Sequence, residues 1–193
     1  SAQYIAVINN DWRIIISLSP EMFFEINGRK IRSKPMKGTA KRGIDHSNDE
    51  FIKYELEHSE KNRAENVMIV DLIRNDLGRI SQYGSVKVND LFKVEKYESV
   101  YQMVSTVESK LKKNIKLSDV IKNIYPCGSI TGAPKIRTME IINELEKATR
   151  GIYTGSIGLI RKSKITFNVS IRTLTIDKKS GNGEIGLGSG IVW

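Results

Sequence analysis

The sequence has 193 residues, yet only one of them, Cys127, is a cysteine, and no apolar run approaches the length of a membrane span. A lone cysteine excludes an internal disulfide and is typical of a reducing compartment. A transmembrane helix needs about 20 apolar residues, and the N-terminus lacks the basic start and apolar stretch of a secretory signal. We therefore expect a cytoplasmic protein without a membrane segment.

Internal repeats, low-complexity tracts and Pro/Ser-rich linkers are also missing, so residues 1–193 are interpreted as one domain. Hydrophobic residues make up 39% of the chain, which is enough for a core, and the formal net charge is +9. The lysines are scattered instead of lying on one periodic face, and no nucleic-acid module signature is present. We expect no nucleic-acid partner, and interpret the charge as a solvated surface or as attraction for a small anionic substrate.

The first third of the chain has the composition of β-strands. The predicted strands cover residues 4–8, 13–18, 23–26 and 29–33. Asn27-Gly28 separates the last two and favours a two-residue hairpin turn, because both positions need positive φ. Residues 35–39 are then predicted to form a loop at the end of a hairpin strand, where chemistry is carried on a rigid scaffold.

Two helices are predicted next. The segment from Ser47 to Glu50 has the pattern of a capping box, which places a helix start near Asn48. A second helix is predicted from about residue 61 to 77 and is expected to stop at Gly78. Its middle, residues 67–73, is apolar on almost every side, which predicts a helix buried all round.

The second half of the chain mixes strands with short helices. We predict strands at 85–88 and 100–111, helices at 117–125 and 134–147, and strands at 151–161, 165–176 and 184–192. A break in alternation suggests a bulge near Thr173, and Pro134 is placed as the first helical residue. Strands that come in runs favour an α+β fold with antiparallel sheets over a doubly wound fold.

Lys37 is the first candidate for chemistry. It lies between Pro35, which fixes the backbone, and Gly38, which allows another group to approach closely. A nucleophilic lysine must be neutral, and burial or nearby cations such as Lys34 and Lys41 would lower its pKa from about 10.4. The alternative is an ordinary surface lysine, since most lysines are exposed.

Glu65 is the second candidate, because a carboxylate at the edge of a buried helix is costly unless it is paired or bound to a cation. Mg²⁺ prefers oxygen ligands, and one or two carboxylates suffice when water and substrate supply the others. The alternative is a salt bridge to Arg63 or Arg74.

Three further features could bind anions. The glycine-containing segment 128–134 runs into a predicted helix N-terminus, where free N–H groups attract a carboxylate. Arg172 projects from a strand and could clamp a carboxylate, or could simply be exposed. Gly186, Gly188 and Gly190 alternate along the last predicted strand, as they would where a ligand approaches the backbone.

Taken in order, the motifs of the chain resemble the chorismate-utilising enzymes, a family that includes anthranilate, aminodeoxychorismate, isochorismate and salicylate synthases. The resemblance rests on 19–21, 35–39, 63–72, 74–77, 128–135, 150–153, 171–173 and 188–192. It implies an α+β fold with two large antiparallel sheets packed together and helices outside. Aminodeoxychorismate synthases typically have lysine at the position of Lys37, where anthranilate synthases usually have alanine.

The resemblance to the aminodeoxychorismate branch implies a covalent mechanism. Lys37 would attack C2 of the chorismate ring as the C4 hydroxyl leaves, and ammonia would then add at C4 and expel the lysine. Glu21 would act as a general base near the incoming amine, and Glu65 would ligate Mg²⁺. A glutamine amidotransferase partner would supply the ammonia. Anthranilate and isochorismate synthase remain the enzyme alternatives.

The resemblance also implies the residues that hold the substrate, chorismate. Tyr153, Arg172 and the backbone at Gly190 would hold the enolpyruvyl carboxylate, while Thr39 would line the ring. The glycine-containing loops add the remaining candidates, Gly38 and Thr131.

The chain departs from the family pattern in ways that bear on activity. Asn62 stands where an acidic residue is common, and Gln102 stands where anthranilate synthases place a histidine. The family begins with earlier strands, and it continues past the Gly-Ile-Val strand into a helix with further glutamates. We therefore expect a fragment truncated at both ends, with an incomplete metal site. The alternative to an enzyme is an inactive scaffold or glutaminase-docking piece.

Overall fold

Apolar alternation in the first third of the chain produces short antiparallel strands, as predicted. The computed structural model describes residues 2–191. Its first strands are β1 (Tyr4–Asn9), β2 (Arg13–Ser19), β3 (Met22–Asn27), β4 (Lys30–Lys34) and β5 (Met36–Lys41). The middle of the chain forms α1 (His46–His58), α2 (Glu60–Ile80), β6 (Lys87–Lys96), β7 (Val100–Lys110), α3 (Leu117–Ile124), α4 (Gly128–Thr131) and α5 (Lys135–Leu145). The last strands are β8 (Gly158–Ile160), β9 (Lys164–Asn168), β10 (Thr173–Asp177) and β11 (Gly183–Ile185).

A large antiparallel sheet carries most of the strands. Its order is β5-β7-β4-β3-β9-β8, and β6 pairs with the other edge of β7. Both β4 and β5 pair with β7, β4 along its C-terminal half and β5 along its N-terminal half, so they run end to end. Pro35 separates them without ending the pairing, because its carbonyl accepts a hydrogen bond from the Ser105 N–H at 3.2 Å. The loop predicted around Lys37 is therefore wrong, and Lys37 lies on a strand.

A smaller sheet has the order β1-β2-β10-β11. The chain begins in this sheet, passes through the large sheet, and returns to the smaller one between β9 and β10. The single strand predicted over 165–176, with a bulge near Thr173, is thus two strands in different sheets. The break occurs where Arg172 adopts a φ of +52°, which lies outside the extended region of regular β-structure. Buried polar groups fill the crossing: the Ser17 and Thr173 hydroxyls lie 2.9 Å apart, and the Asn168 amide donates to Ser17 at 3.3 Å. Antiparallel sheets with helices confirm the predicted α+β class.

Helix α2 packs one face against the large sheet and is not buried all round as predicted. Ile69, Ile73 and Ile80 lie on the buried face, whereas Val67 and Met68 are exposed. The sheet covers only one stripe of the helix, so its other apolar residues face outward. The helix also continues through Gly78, because burial of Ile80 in the core favours one more turn.

The start of α1 and the turn between β3 and β4 differ from the predicted positions. Asp45, two residues before Ser47, caps α1 by accepting from the Asn48 N–H at 2.8 Å, so the predicted capping box is not used. Asn27 pairs with Lys30, so the hairpin turn is Gly28-Arg29, one residue later than predicted. Gly28 has a φ of +58°, and a glycine at the first of two turn positions meets that requirement without strain.

The C-terminal strands are shorter than predicted. β8 covers only part of 151–161, and β11 ends at Ile185, while residue 192 of the predicted last strand lies outside the described residues. Pro134 is the N-cap of α5 and not its first helical residue. Across residues 2–191, no helix combines the length and the apolarity that crossing a bilayer requires.

The two faces of α2 predict a contrast in stability. Ile69→Ala removes a side chain that is 1% exposed and leaves a cavity against the sheet, which lowers the free energy of unfolding by about 2 to 5 kcal/mol. Val67→Ala on the same helix changes a side chain that is 38% exposed, and we expect a loss of about 1 kcal/mol or less. Urea unfolding of both variants checks this; equal losses would contradict the assigned buried face.

Candidate active site

Lys37, Glu21 and Ser129 converge from three separate parts of the chain. Glu21 immediately precedes β3, whose first residue pairs with the end of β4, so it lies beside the β4–β5 junction. Ser129 lies in α4, and its carbonyl accepts a hydrogen bond from the Lys37 Nζ at 3.2 Å. The Lys37 amine is thus held between a strand and a helical turn, with a carboxyl group nearby.

The Glu21 carboxyl group is buried, and burial raises its pKa from 4.5 to about 7. The Ser129 hydroxyl, the Lys37 charge and the Met36 backbone favour the ionised form and oppose part of that rise. Its Oε1 atom has no hydrogen-bond partner within residues 2–191. A carboxyl group that titrates near neutrality and has a free oxygen is suited to accept and return a proton.

Gly38 brings strand β5 close to the first turn of α2. Its φ is +90°, and a Cβ built there would lie 3.1 Å from the Asn62 Cβ. The Asn62 side-chain amide donates to the Ser59 hydroxyl at 2.9 Å, so the asparagine is tied to the start of its own helix. The position at which the family commonly has an acid therefore lies against the residue that follows Lys37.

Gln102 contacts Thr39 and shares a cavity with Arg172. The Gln102 amide donates to the Thr39 hydroxyl at 3.1 Å. Gln102 and Arg172 then line one small cavity of about 60 Å³ together with Met36, the residue before Lys37. Two of the predicted substrate-binding residues, Thr39 and Arg172, are thus linked to Gln102, the first by a hydrogen bond and the second by a shared cavity.

The other predicted substrate-binding residues are less closely gathered. Thr131 is buried, and its hydroxyl donates to the Gly132 carbonyl at 3.2 Å, within its own loop. The Tyr153 ring packs against Gly186, where an added Cβ would lie 2.1 Å from the ring. Gly190 is exposed and has nothing within 4 Å of an ideal Cβ, because β11 ends five residues earlier at Ile185. The described residues do not bring Gly190 to Lys37.

Glu65 lies half-buried on α2 and forms no ion pair within residues 2–191. Arg74 pairs instead with Asp71 at 2.7 Å, and the Arg63 guanidinium lies over the Phe92 ring at 4.8 Å. The salt-bridge alternative is therefore wrong, and the carboxylate is available to a cation. Within the described residues no three His, Cys, Asp or Glu side chains are grouped as a metal site. A single free carboxylate fits Mg²⁺, which takes its remaining ligands from water and substrate.

Ser129 is the site residue that sequence reasoning missed, since Thr131 was chosen from the same loop. Its neighbour Gly128 was the available signal. An added Cβ at Gly128 would lie 2.6 Å from the Leu72 side chain, so glycine allows the loop to dock closely on α2. The Cys127 thiol lies 3.1 Å from the Ser129 hydroxyl and completes the buried surroundings of this turn.

Comparison with known proteins places the chain in a recognised group. The family model described as chorismate binding enzyme matches residues 1–193. Aminodeoxychorismate synthase component 1 of Bacillus subtilis (strain 168) is 45% identical over 190 residues, which cover 98% of this chain and 40% of that protein. An anthranilate synthase component 1 of Haloarcula marismortui is 42% identical over 192 residues, covering 99% and 38%.

Solved structures agree with the fold. The crystal structure of anthranilate synthase component I from Streptococcus pneumoniae TIGR4 superposes with a TM-score of 0.82 at 32% identity, covering 92% of this chain and 39% of that one. MenF of Escherichia coli, an isochorismate synthase, superposes with a TM-score of 0.76 at 22% identity, covering 87% and 38%, and shows the fold alone. The chain spans about 40% of the length of each of these four relatives.

The raised pKa of Glu21 predicts how stability depends on pH. Glutamate in the unfolded chain ionises near pH 4.5, whereas the folded carboxyl group keeps its proton to about pH 7. Between these pH values the folded protein therefore binds more protons than the unfolded chain. The free energy of unfolding falls as pH rises from 5 to 8, by about 2 to 3 kcal/mol. Glu21→Gln cannot ionise and should lose that component of the pH dependence. Urea unfolding at both pH values checks this; parallel profiles for the two proteins would contradict it.

Proposed function

This chain belongs to the family of chorismate binding enzymes, and we propose that it acts as an aminodeoxychorismate synthase component I. It would convert chorismate and ammonia into 4-amino-4-deoxychorismate and water, a step toward para-aminobenzoate and folate. The observation that carries the proposal is the Lys37 amine on β5, held by the Ser129 carbonyl beside the buried Glu21. Members of this branch typically have a lysine at that position.

The proposed reaction consists of two displacements. The Lys37 amine, in its neutral form, forms a bond to C2 of the ring, the double bonds shift, and the C4 hydroxyl leaves with its electron pair. The proton that the attacking amine loses converts this hydroxide into water. Ammonia then adds at C4, the double bonds shift back, and the C2–nitrogen bond breaks to release the lysine. Glu21 is ionised in part at neutral pH, so it can accept a proton from an attacking amine and return it later.

Other residues would bind the substrate. The Arg172 guanidinium, at the cavity shared with Gln102, offers paired donors to a carboxylate, and Thr39 lies beside it. Tyr153 and Gly190 are proposed to join the enolpyruvyl carboxylate only when substrate is bound. Glu65 is the candidate ligand for Mg²⁺, which when bound would neutralise the ring carboxylate.

Partners and location follow from the same proposal. We propose that ammonia comes from a glutamine amidotransferase subunit; the name component 1 implies a second component for the relatives that carry it. The buried thiol of Cys127 is free, which suits a reducing cytoplasm.

Anthranilate synthase is the second candidate, because relatives with that name are nearly as similar to this chain. Lys37 favours the first candidate, since the anthranilate branch usually has alanine there and needs no covalent adduct. The non-enzyme alternative, a scaffold or docking piece, predicts no turnover in the natural full-length protein.

Lys37→Ala tests the covalent step. In its natural full length the protein, incubated with chorismate and Mg²⁺ but no ammonia, should gain the mass of chorismate less one water, and peptide mapping should place that mass on Lys37. Lys37→Ala should gain none and lose turnover by about a thousandfold or more. Lys41→Ala, an exposed lysine on the same strand, should behave as the parent protein. Anthranilate as product, with no adduct, would refute the proposal.

Glu65→Ala tests the metal ligand. Loss of one carboxylate should raise the Mg²⁺ concentration for half-maximal turnover by about tenfold or more. The matched control is Glu57→Ala, which removes an exposed carboxylate from α1. Titration of turnover against Mg²⁺ measures both variants, and an unchanged midpoint for Glu65→Ala would remove Glu65 from the metal site.

A further inference from the structure

The loop that presents Ser129 to Lys37 receives little support from the helix that follows it. Helix α5 contributes no buried residue to the described structure. Apolar packing, which fixes most helices in place, is therefore unavailable to hold the C-terminal end of this loop. Within the loop (residues 125–134), Cys127 belongs to the buried core and Ile130 packs against it, so a further interaction is needed to fix only the C-terminal end of the loop, next to α5.

A part-buried ion pair supplies that interaction. Lys135, the first residue of α5, donates to the Asp76 carboxylate of α2 at 2.5 Å and to the Ile124 carbonyl at 3.0 Å. Its ammonium group thus ties together both ends of the loop and fastens them to α2. The Asp76 and Lys135 side chains are only 7% and 13% exposed.

A second contact on the same helix face completes the anchorage. Gly128 lies against Leu72, which is one turn before Asp76 on α2. The helix therefore holds the loop near its middle and at its end, and Ser129 lies next to the first of these points. By contrast, the Asp71–Arg74 pair on the exposed side of α2 touches no part of the loop and is 62% and 54% exposed.

We propose that Asp76 and Lys135 are positioning residues for Lys37: their ion pair fixes the loop so that the Ser129 carbonyl orients the nucleophilic amine. The same pair sets that loop in register with α2, the helix that carries Glu65. Its role in catalysis rests on the proposed function, whereas its role in placing the amine does not. Buried ion pairs add little net stability, because desolvation offsets the attraction between the charges. Removal of one partner leaves the other charge buried and unpaired, which lowers stability. The effect on orientation, to which reaction rates are sensitive, is therefore measured in variants shown to be folded.

The test compares Asp76→Asn and Lys135→Met with Asp71→Asn and Arg137→Met, which remove charges of the same sign from exposed ion pairs. All are made in the natural full-length protein. The first readout needs no substrate: acetic anhydride labelling of Lys37, measured by peptide mass spectrometry relative to Lys41. We expect this ratio to rise about threefold or more when the loop is released, because the amine loses its carbonyl partner.

The second readout is turnover of chorismate. We expect kcat to fall about tenfold or more in the two test variants, while KM changes less than about threefold. Lys135→Arg retains the charge and should restore most of both properties. The exposed-pair variants should match the parent protein. Circular dichroism and thermal melting establish which variants are folded.

The outcomes separate this inference from the proposed function. Folded test variants with parental Lys37 labelling would overturn the positioning role, and so would failure of both variants to fold, since the pair would then be structural. Equal loss of kcat in the exposed-pair controls would also overturn it. A parent protein that labels as expected but never converts chorismate would refute the proposed function, and would leave the placement of the amine supported by the labelling.

Discussion

The pairing of β7 with neighbours on both edges is the constraint on which the rest of the structure depends. Tyr101, Met103, Val104 and Val107 are fully buried there, and α2 packs across the strand. Strands β4 and β5 must share one edge of β7, so the backbone on either side of Pro35 is held in line. The candidate nucleophile lies at a bulge of β5 between Met36 and Thr39, and because both of these pair with β7, its backbone is held on either side. A loop would leave that orientation to be fixed when substrate binds.

Sequence patterns predicted what depends on near neighbours. The early strands, helix α3 and the α+β class follow from alternation and composition, and motif order supplied Lys37, Glu21 and Glu65. The remaining features depend on contacts between distant residues. Residues 35–39 were predicted as a loop because the pairing of the Pro35 carbonyl with Ser105 is invisible in sequence. The sheet crossing depends on a positive φ at Arg172, a conformation that no local pattern predicts for arginine. Ser129 was missed because only folding places its carbonyl against an amine ninety-two residues away.

Helix α2 contributes to the core with one half and to the candidate site with the other. Its C-terminal half lies in the core through residues such as Ile73 and Leu77. Its N-terminal half places Asn62 against β5 and leaves the Glu65 carboxylate without an ion-pair partner among residues 2–191. Because both halves belong to one rigid helix, a shift in the core would move the candidate metal ligand with it. The core has a similar effect on Glu21. The packing that stabilises the sheet also removes water from the Glu21 carboxyl group, and this burial raises its pKa.

The close contact between Gly38 and Asn62 also restricts how this site can diversify. The gap between β5 and α2 holds the Asn62 side chain. The Asn62 Cβ lies only 3.1 Å from the position that a Cβ at residue 38 would occupy. Aspartate has nearly the same volume, so an exchange of amide for acid at this position changes charge without changing shape. Glutamate is one methylene longer, so its carboxylate would reach a different place beside the strand that bears Lys37. Exchange of asparagine for aspartate at position 62 would therefore alter the electrostatics of the site in a single step without a change of shape.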